Sequence, residues 1–305
     1  MEIIKPLIQY LAVIILSPLL LGLINRVKAK FAGRRGQPLL QLYFDLYKLS
    51  YKTPVYSRTT TWLFRAGPVI GLSAILCALA ALPFAGRPGF LAFDGDFIFL
   101  IYLLGLGRFF TVLAALDTGS SFEGMGASRE VQFAVFSEPA FFLALAALSK
   151  ATGKLSLSGM FLALEPASWQ AAAPALLLLT AALFIILLAE NSRVPVDDPN
   201  THLELTMIHE VMVLDHSGPD LAYILYGAAL KLWFFGALIA SAVLPRHSGS
   251  WLYDGAAFLG MMAVIAAAIG TVESVMARLR MIKVQYLLMG ALVFSILALL
   301  FQTGR

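Results

Sequence analysis

The chain has 305 residues, of which 60% are hydrophobic and only 13% charged, against the roughly 25% charged residues of an average soluble domain. That balance excludes a water-soluble globular enzyme. The net charge of +4 comes from lysines and arginines that cluster beside apolar runs, so it needs no nucleic-acid partner, and the single Cys77 leaves neither a disulfide framework nor a cysteine metal site.

Eight apolar runs approach the roughly 20 residues that a helix needs to cross a bilayer. They cover residues 6–27, 62–84, 97–116, 130–149, 172–189, 220–244, 251–276 and 282–302. The first is of full span length and lacks a basic leader and a clear small-residue cleavage site, so it reads as an anchor and not as a signal peptide. The expected fold is all-α: a polytopic membrane protein of about eight transmembrane helices, with residues 1–305 forming one integral membrane domain.

Basic residues orient it. Arg26, Lys28, Lys30, Arg34, Arg35, Lys48, Lys52 and Arg58 fill the first loop, and Arg278, Arg280 and Lys283 follow span seven on the same side. The positive-inside bias therefore predicts loops 28–61, 117–130 and 190–219 in the cytoplasm and both termini outside.

Within the first loop, Gly33-Arg34-Arg35-Gly36 is a basic turn, and Leu39, Leu42, Leu46 and Leu49 then recur at helical spacing. This segment is too short to span, and predicts an amphipathic helix lying on the inner leaflet. It serves either as a surface anchor or as the lip of an opening between protein and lipid.

Charges inside the spans carry the chemistry. Arg108 lies in the middle of span three, Glu138 beside Pro139 in span four, Lys231 in span six and Glu273 near the end of span seven; Asp117 and Glu190 close spans three and five. A charge at bilayer depth costs roughly 2.5–3.5 kcal/mol on insertion scales, so it faces a partner or a wet cavity. Mutual pairing, such as Arg108 with Glu138, would fix helix packing. Acids outnumbering bases at graded depths would instead make a proton or ion path, for which Arg108, Asp117, Glu138, Glu190, Lys231 and Glu273 are the candidates.

Two further segments are polar. Residues 117–130 are rich in glycine and read as a mobile backbone that approaches another chain, with no nucleotide fingerprint. In 190–219, Pro195 and Pro199 bar a regular helix while acids crowd together. So many acids together face water, a protein partner or an ion path; Asp197, Asp198, Glu204, Glu210 and Asp215, with Arg34 and Arg35, are the candidates for a partner-docking loop. His202 and His209 lack the spacing of a zinc helix and read as loop or partner contacts; no metal site is expected.

Taken jointly, these segments resemble a known family. Gly33-Arg34-Arg35-Gly36 with Leu40-Gln41 and Asp45, Asp117-Thr118-Gly119-Ser120 with Gly126-Ala127-Ser128-Arg129-Glu130, Glu138-Pro139, the Pro195-x-Asp197 loop reaching Glu204-Leu205 and Ser217-Gly218, and Glu273-Ser274-x-Met276-Ala277-Arg278-Leu279-Arg280 stand in that family's order over nearly the full length. The chain is similar to subunit 1 (the H subunit) of respiratory complex I, in the branch found in membrane-bound group 4 [NiFe] hydrogenases of the formate hydrogenlyase subunit 4 and hydrogenase-4 component C type.

The resemblance implies a non-catalytic coupling subunit in a prokaryotic inner membrane. Its loop 190–218 would face a small iron–sulfur subunit and a large hydrogenase-like subunit, with an antiporter-like membrane subunit alongside. It would bind no cofactor itself; iron–sulfur clusters, and NiFe where present, would sit in the partners. Where complex I usually has Pro-Phe-Asp-Leu-Pro-Glu-Ala-Glu, this chain has Pro195-Val196-Asp197-Asp198-Pro199-Asn200-Thr201-His202, and Lys231 stands near the family's span-six glutamate. These departures weaken the case for a bound quinone. The competing classes are a quinone-site subunit of an NADH dehydrogenase-like complex, a stand-alone transporter using Arg108, Glu138 and Lys231, and an intramembrane prenyltransferase suggested by Asp197-Asp198. The transporter lacks visible inverted repeats, and the prenyltransferase lacks a second aspartate-rich loop.

Overall fold

The computed structural model describes residues 4–197, 207–244 and 250–303. Ten α-helices follow one another among them: α1 Ile4–Phe31, α2 Gln41–Ser50, α3 Trp62–Ala81, α4 Asp96–Asp117, α5 Ser121–Thr152, α6 Leu157–Leu162, α7 Pro166–Glu190, α8 Gly218–Val243, α9 Trp251–Val275 and α10 Met281–Thr303. A 3-10 turn covers Glu210–Val213, and the described residues contain no strand. Eight of the helices, all but α2 and α6, are long and apolar enough to cross a membrane. The chain is a multi-pass membrane protein of the expected class.

Local signals explain where the helices start and stop. Thr61 caps α3, its side chain accepting from the Leu63 N–H, and its own N–H and hydroxyl donate to Asp117 at 2.6 and 2.9 Å, which ties the start of α3 to the end of α4. Gly153, at φ +68°, ends α5 in the left-handed conformation that glycine adopts without a Cβ penalty. Pro166 opens α7 behind a capping box of Glu165 and Ser168.

The helices then pack through small residues, since lipid supplies no hydrophobic drive between spans. At Gly67 a Cβ would sit 2.9 Å from that of Ala114, so α3 and α4 touch backbone to backbone. α10 lies against α5 and α7, and α1 against α8 and α9. Leu20, Ile24, Leu145, Leu148, Phe234 and Phe235 are fully buried where these meet.

α2 forms where the leucine spacing predicts it. Leu42 is buried, while Phe44 and Tyr47 are exposed on the opposite flank. Gln41 donates to Asp45 one turn on, at 2.9 Å, and the Tyr43 hydroxyl donates to the Ile15 carbonyl of α1.

The glycine-rich segment departs from expectation. It is not a mobile loop but the first turns of α5, which has 32 residues and so runs about 48 Å, well past the roughly 30 Å of hydrocarbon. One of its glycines, Gly126, serves close approach. A Cβ on Gly126 would lie 2.3 Å from Val211 Cγ1 and 2.8 Å from the Ile208 carbonyl oxygen. Gly126→Leu is therefore expected to lift residues 207–213 off α5 and cost about 1–3 kcal/mol of overpacking, read as a lowered thermal midpoint in detergent; an unchanged midpoint would deny the tight seat.

The end of the bundle that carries α2 also gathers residues 191–197, 207–217 and 276–280. The Leu279 N–H donates to the Pro195 carbonyl at 2.9 Å, and the Val55 N–H to Ser217 Oγ at 2.9 Å. His216 is buried there, stacked on Phe64 with ring centroids 3.9 Å apart. Burial pushes its pKa below the ordinary 6.5, against the opposing pull of Asp220 and Asp215. The folded protein thus holds a neutral imidazole, and the stability tied to it is present above pH 6.5 and lost as pH falls below that value. His216→Phe, which keeps an aromatic ring on Phe64, is expected to lose less thermal stability than the natural chain between neutral and acidic pH; an identical acid-side loss would remove His216 as a cause.

Candidate functional site

Arg108 is the hub. It sits midway along α4, and its guanidinium fork reaches three carboxylates at once: Nε to Glu130 at 2.9 Å, Nη1 to Glu138 and Nη2 to Glu190. Glu130 and Glu138 are about two turns apart on α5, and Glu190 is the last residue of α7. The Ser137 hydroxyl donates to Glu190 Oε1 at 2.8 Å, and Lys231 Nζ of α8 pairs with its other oxygen at 2.8 Å. The Arg108–Glu138 pair that packing alone would want is present, but inside a shared set.

Three carboxylates face two cations here, so one negative charge is in surplus when all are ionised. Burial is uneven. Glu190 and Glu130 keep 6% and 9% of their side-chain surface exposed, whereas Glu138 keeps 44%.

A second group lies at the α2 end. Asp197 is 2% exposed, pairs with Arg278 at 2.8 Å, and accepts from the backbone N–H groups of Ile208 and His209 at 3.2 and 3.3 Å. Its carboxylate is held inside the chain instead of being offered to a partner surface. The Arg129 guanidinium donates to the Met207 carbonyl at 2.9 Å, which pins the 3-10 turn to α5. Glu273 takes Lys28 at 2.7 Å and Arg193 at 3.4 Å, joining α1, α9 and the segment after α7. Between the two groups stands His209, with Nε2 3.2 Å from Glu130 and Nδ1 4.0 Å from Asp197.

A cavity of about 450 Å³ runs between α1, α3, α4 and α8. Leu21, Leu42, Leu72 and Leu104 give it apolar walls, and Arg108, Glu130, Glu190, Asp197, His209 and Lys231 line its polar side. At about 30 Å³ per molecule it has room for on the order of ten waters. Leu42 of α2 forms part of the wall.

The structure thus brings together Arg108, Glu138, Glu190 and Lys231, and places Glu273 in a neighbouring ion-pair group. Asp117 stands apart, bonded to Thr61 as a tie between helices. Arg34, Arg35 and Asp215 are exposed, and Glu210 is half-buried along the cavity. Asp198, His202 and Glu204 lie outside the described residues. Among the described residues no group of three or more His, Cys, Asp or Glu side chains is placed to hold a metal ion.

Sequence reasoning does not mark Glu130, Arg193 or Arg278 as site residues and reads His209 as a loop contact. One signal is available. Glu130 stands eight residues before Glu138, at the first position of the run 130–149, so both fall on one helix about two turns apart.

Fold and site together define a multi-pass membrane protein with a chain of charged side chains leading from the loops at one end into the bundle. The sequence pattern of the NADH dehydrogenase family matches residues 4–303, and the chain belongs to that family. It is 29% identical over 287 residues to formate hydrogenlyase subunit 4 of Escherichia coli (strain K12), covering 92% of each chain. With hydrogenase-4 component C of the same organism it shares 33% over 239 residues, 78% of this chain and 74% of that one. The H subunit of the NADH-quinone oxidoreductase of Rickettsia felis is 26% identical over 219 residues, 70% of this chain and 63% of the relative. In fold it matches a chain of the membrane-bound sulfane sulfur reductase, an archaeal respiratory membrane complex, with a TM-score of 0.80 at 20% identity over 98% of this chain and 100% of that chain. The resemblance drawn from the short motifs is the family that these comparisons show.

Proposed function

We propose that this chain is the membrane-anchoring and ion-coupling subunit of a redox-driven assembly of the complex I and group 4 hydrogenase type. The observation that carries this reading is the shared guanidinium of Arg108. One cation holds three carboxylates beside a cavity large enough to be wet, with one negative charge in surplus. A carboxylate that loses the guanidinium takes up a proton more readily, and one that regains it lets the proton go. A shift of Arg108 among Glu130, Glu138 and Glu190 therefore moves a proton without moving the backbone far. The relatives' names support the assembly, since each is a subunit or component of a larger enzyme.

In this reading the α2 end faces the cytoplasm, because its loops carry Arg34, Arg35, Lys48, Lys52, Arg58, Arg278 and Arg280. A small iron–sulfur subunit and a large hydrogenase-like subunit dock there. An antiporter-like subunit lies against the flank where Glu138 is half exposed. Redox metals belong to the soluble partners. Charge contacts truncated on one side of an interface cost roughly 2–5 kcal/mol when the pair is buried. Arg34→Glu combined with Arg35→Glu is therefore expected to release the soluble subunits from the membrane at high salt; complete retention would contradict docking on this face.

The leucine walls of the cavity favour one second reading, in which an amphiphilic quinone enters past α2. The leucines would hold its tail, and Arg108, Asp197 and His209 its polar ring; when bound, it would supply two-electron redox chemistry. Direct quinone-binding measurements on the purified complex separate the readings, and the quinone-free one expects none at the cavity.

A further inference from the structure

We propose that His209 is the proton-transfer bridge between the Asp197 loop and the Arg108 cluster. The proposal rests on the coupling reading and adds to it the residue through which the proton enters. One ring nitrogen faces an acid of the intramembrane set and the other an acid of the loop, 3.2 Å from Glu130 Oε2 and 4.0 Å from Asp197 Oδ2. His209 also lines the cavity, with 27% of its side-chain surface exposed. An imidazole can accept a proton on one nitrogen and release one from the other near neutral pH, which neither an arginine nor a lysine can do in its place.

A purely structural histidine would align at least one ring nitrogen with a fixed partner. Among the described residues neither Nδ1 nor Nε2 makes an aligned hydrogen bond, although both face carboxylates. The surroundings hold the ring while leaving it able to exchange. Arg278, from the segment between α9 and α10, fixes Asp197, and Arg129 of α5 fixes the backbone at Met207. Arg108 of α4 holds the other oxygen of Glu130, so Oε2 remains turned toward the imidazole. Glu210, next in the chain, lines the same cavity.

In the transfer, a neutral imidazole carrying its proton on Nε2 takes a second proton on Nδ1, the nitrogen that faces Asp197, from a hydronium ion in the cavity, which leaves as water. The imidazolium then gives the proton on Nε2 to Glu130 Oε2, leaving a neutral imidazole protonated on Nδ1 and a carboxylic acid. Exchange with cavity water returns the remaining ring proton from Nδ1 to Nε2 and resets the bridge. While protonated, His209 also offsets the surplus negative charge of the Arg108 cluster.

The test uses the whole complex in sealed vesicles, comparing His209→Gln, His209→Lys and Glu138→Gln with the natural chain. Assembly is checked by copurification of the soluble subunits. His209→Gln is expected to assemble and to move protons at least about tenfold more slowly, the scale on which positioned proton-transfer groups act. Added imidazole should restore a large part of the rate. His209→Lys keeps a cation beside Glu130 but cannot shuttle, and should remain slow.

Proton movement at the natural rate in His209→Gln, with Glu138→Gln blocked, overturns the bridge and leaves the coupling reading standing. Natural rates in both overturn the coupling reading itself. Full recovery in His209→Lys would mean that the residue only balances charge, and loss of assembly in both His209 variants would make it a strut; either outcome overturns the proposal. If His209→Gln alone fails to assemble, His209→Lys with and without imidazole decides: a slow rate that imidazole raises supports the bridge, and a rate unmoved by imidazole overturns it.

Discussion

Replacing Arg108 by leucine is expected to remove the folded chain from the membrane almost entirely. The substitution leaves Glu130, Glu138 and Glu190 together with Lys231 as the one remaining cation of the cluster, and Lys231 reaches only Glu190. Breaking a buried ion pair by removing one partner costs about 3–5 kcal/mol, a cost that falls mainly on Glu130, since Glu138 keeps 44% of its side-chain surface exposed. That loss compares with a total stability of about 5–15 kcal/mol for a typical domain. Arg108→Lys should fall between, since one ammonium cannot satisfy three carboxylates on separate turns. Adding Glu130→Gln and Glu138→Gln to Arg108→Leu restores the balance to one acid and one base, and should recover folded protein. Yield and monodispersity in mild detergent read all three; a single Arg108→Leu chain at natural yield would show that the cluster is not what joins α4, α5 and α7.

The second large effect is on coupling. Glu190→Gln keeps the shape of the side chain and still accepts from Ser137 and Arg108, but it cannot carry charge or take up a proton. It leaves two acids facing two cations, so the cluster loses its surplus negative charge, although Lys231 loses its partner. Lys231 keeps a quarter of its side-chain surface exposed and lines the cavity, so water can take over part of that role. We expect a stability loss of roughly 1–3 kcal/mol and a fall in coupled proton movement of about a hundredfold or more. Glu190→Gln with Lys231→Met should regain most of the stability and none of the coupling. Recovery of both together would make Glu190 a packing residue.

Much of this architecture is legible in the chain itself. Hydropathy finds all eight spans because each must satisfy its backbone internally while facing lipid, and the leucine spacing finds α2. The start of α5 is hidden for a physical reason: glycines that allow Val211 and Ile208 to approach a helix look the same, in sequence, as glycines that make a loop. The short α6 has no periodicity to show. Within the site, Arg108, Glu138, Glu190, Lys231 and Glu273 are visible because a charge in an apolar run is costly and therefore conspicuous. Depth along a helix is readable, but not the partner across the gap. Hence Asp117 reads as part of the path although it caps against Thr61, and Asp197 as part of the docking surface although Arg278 holds it inside.

The central claim is that the charged set around Arg108 moves protons when the partner subunits turn over. The measurement that bears on it most directly is the proton-to-electron ratio of the assembled complex in sealed vesicles, natural chain against Glu138→Gln. This variant leaves Arg108 with two acids and Glu190 with both its cations, so folding and partner binding should hold. The account predicts electron transfer that continues in detergent and a proton ratio that drops to background. An assembled Glu138→Gln complex that pumps at the natural ratio would contradict it.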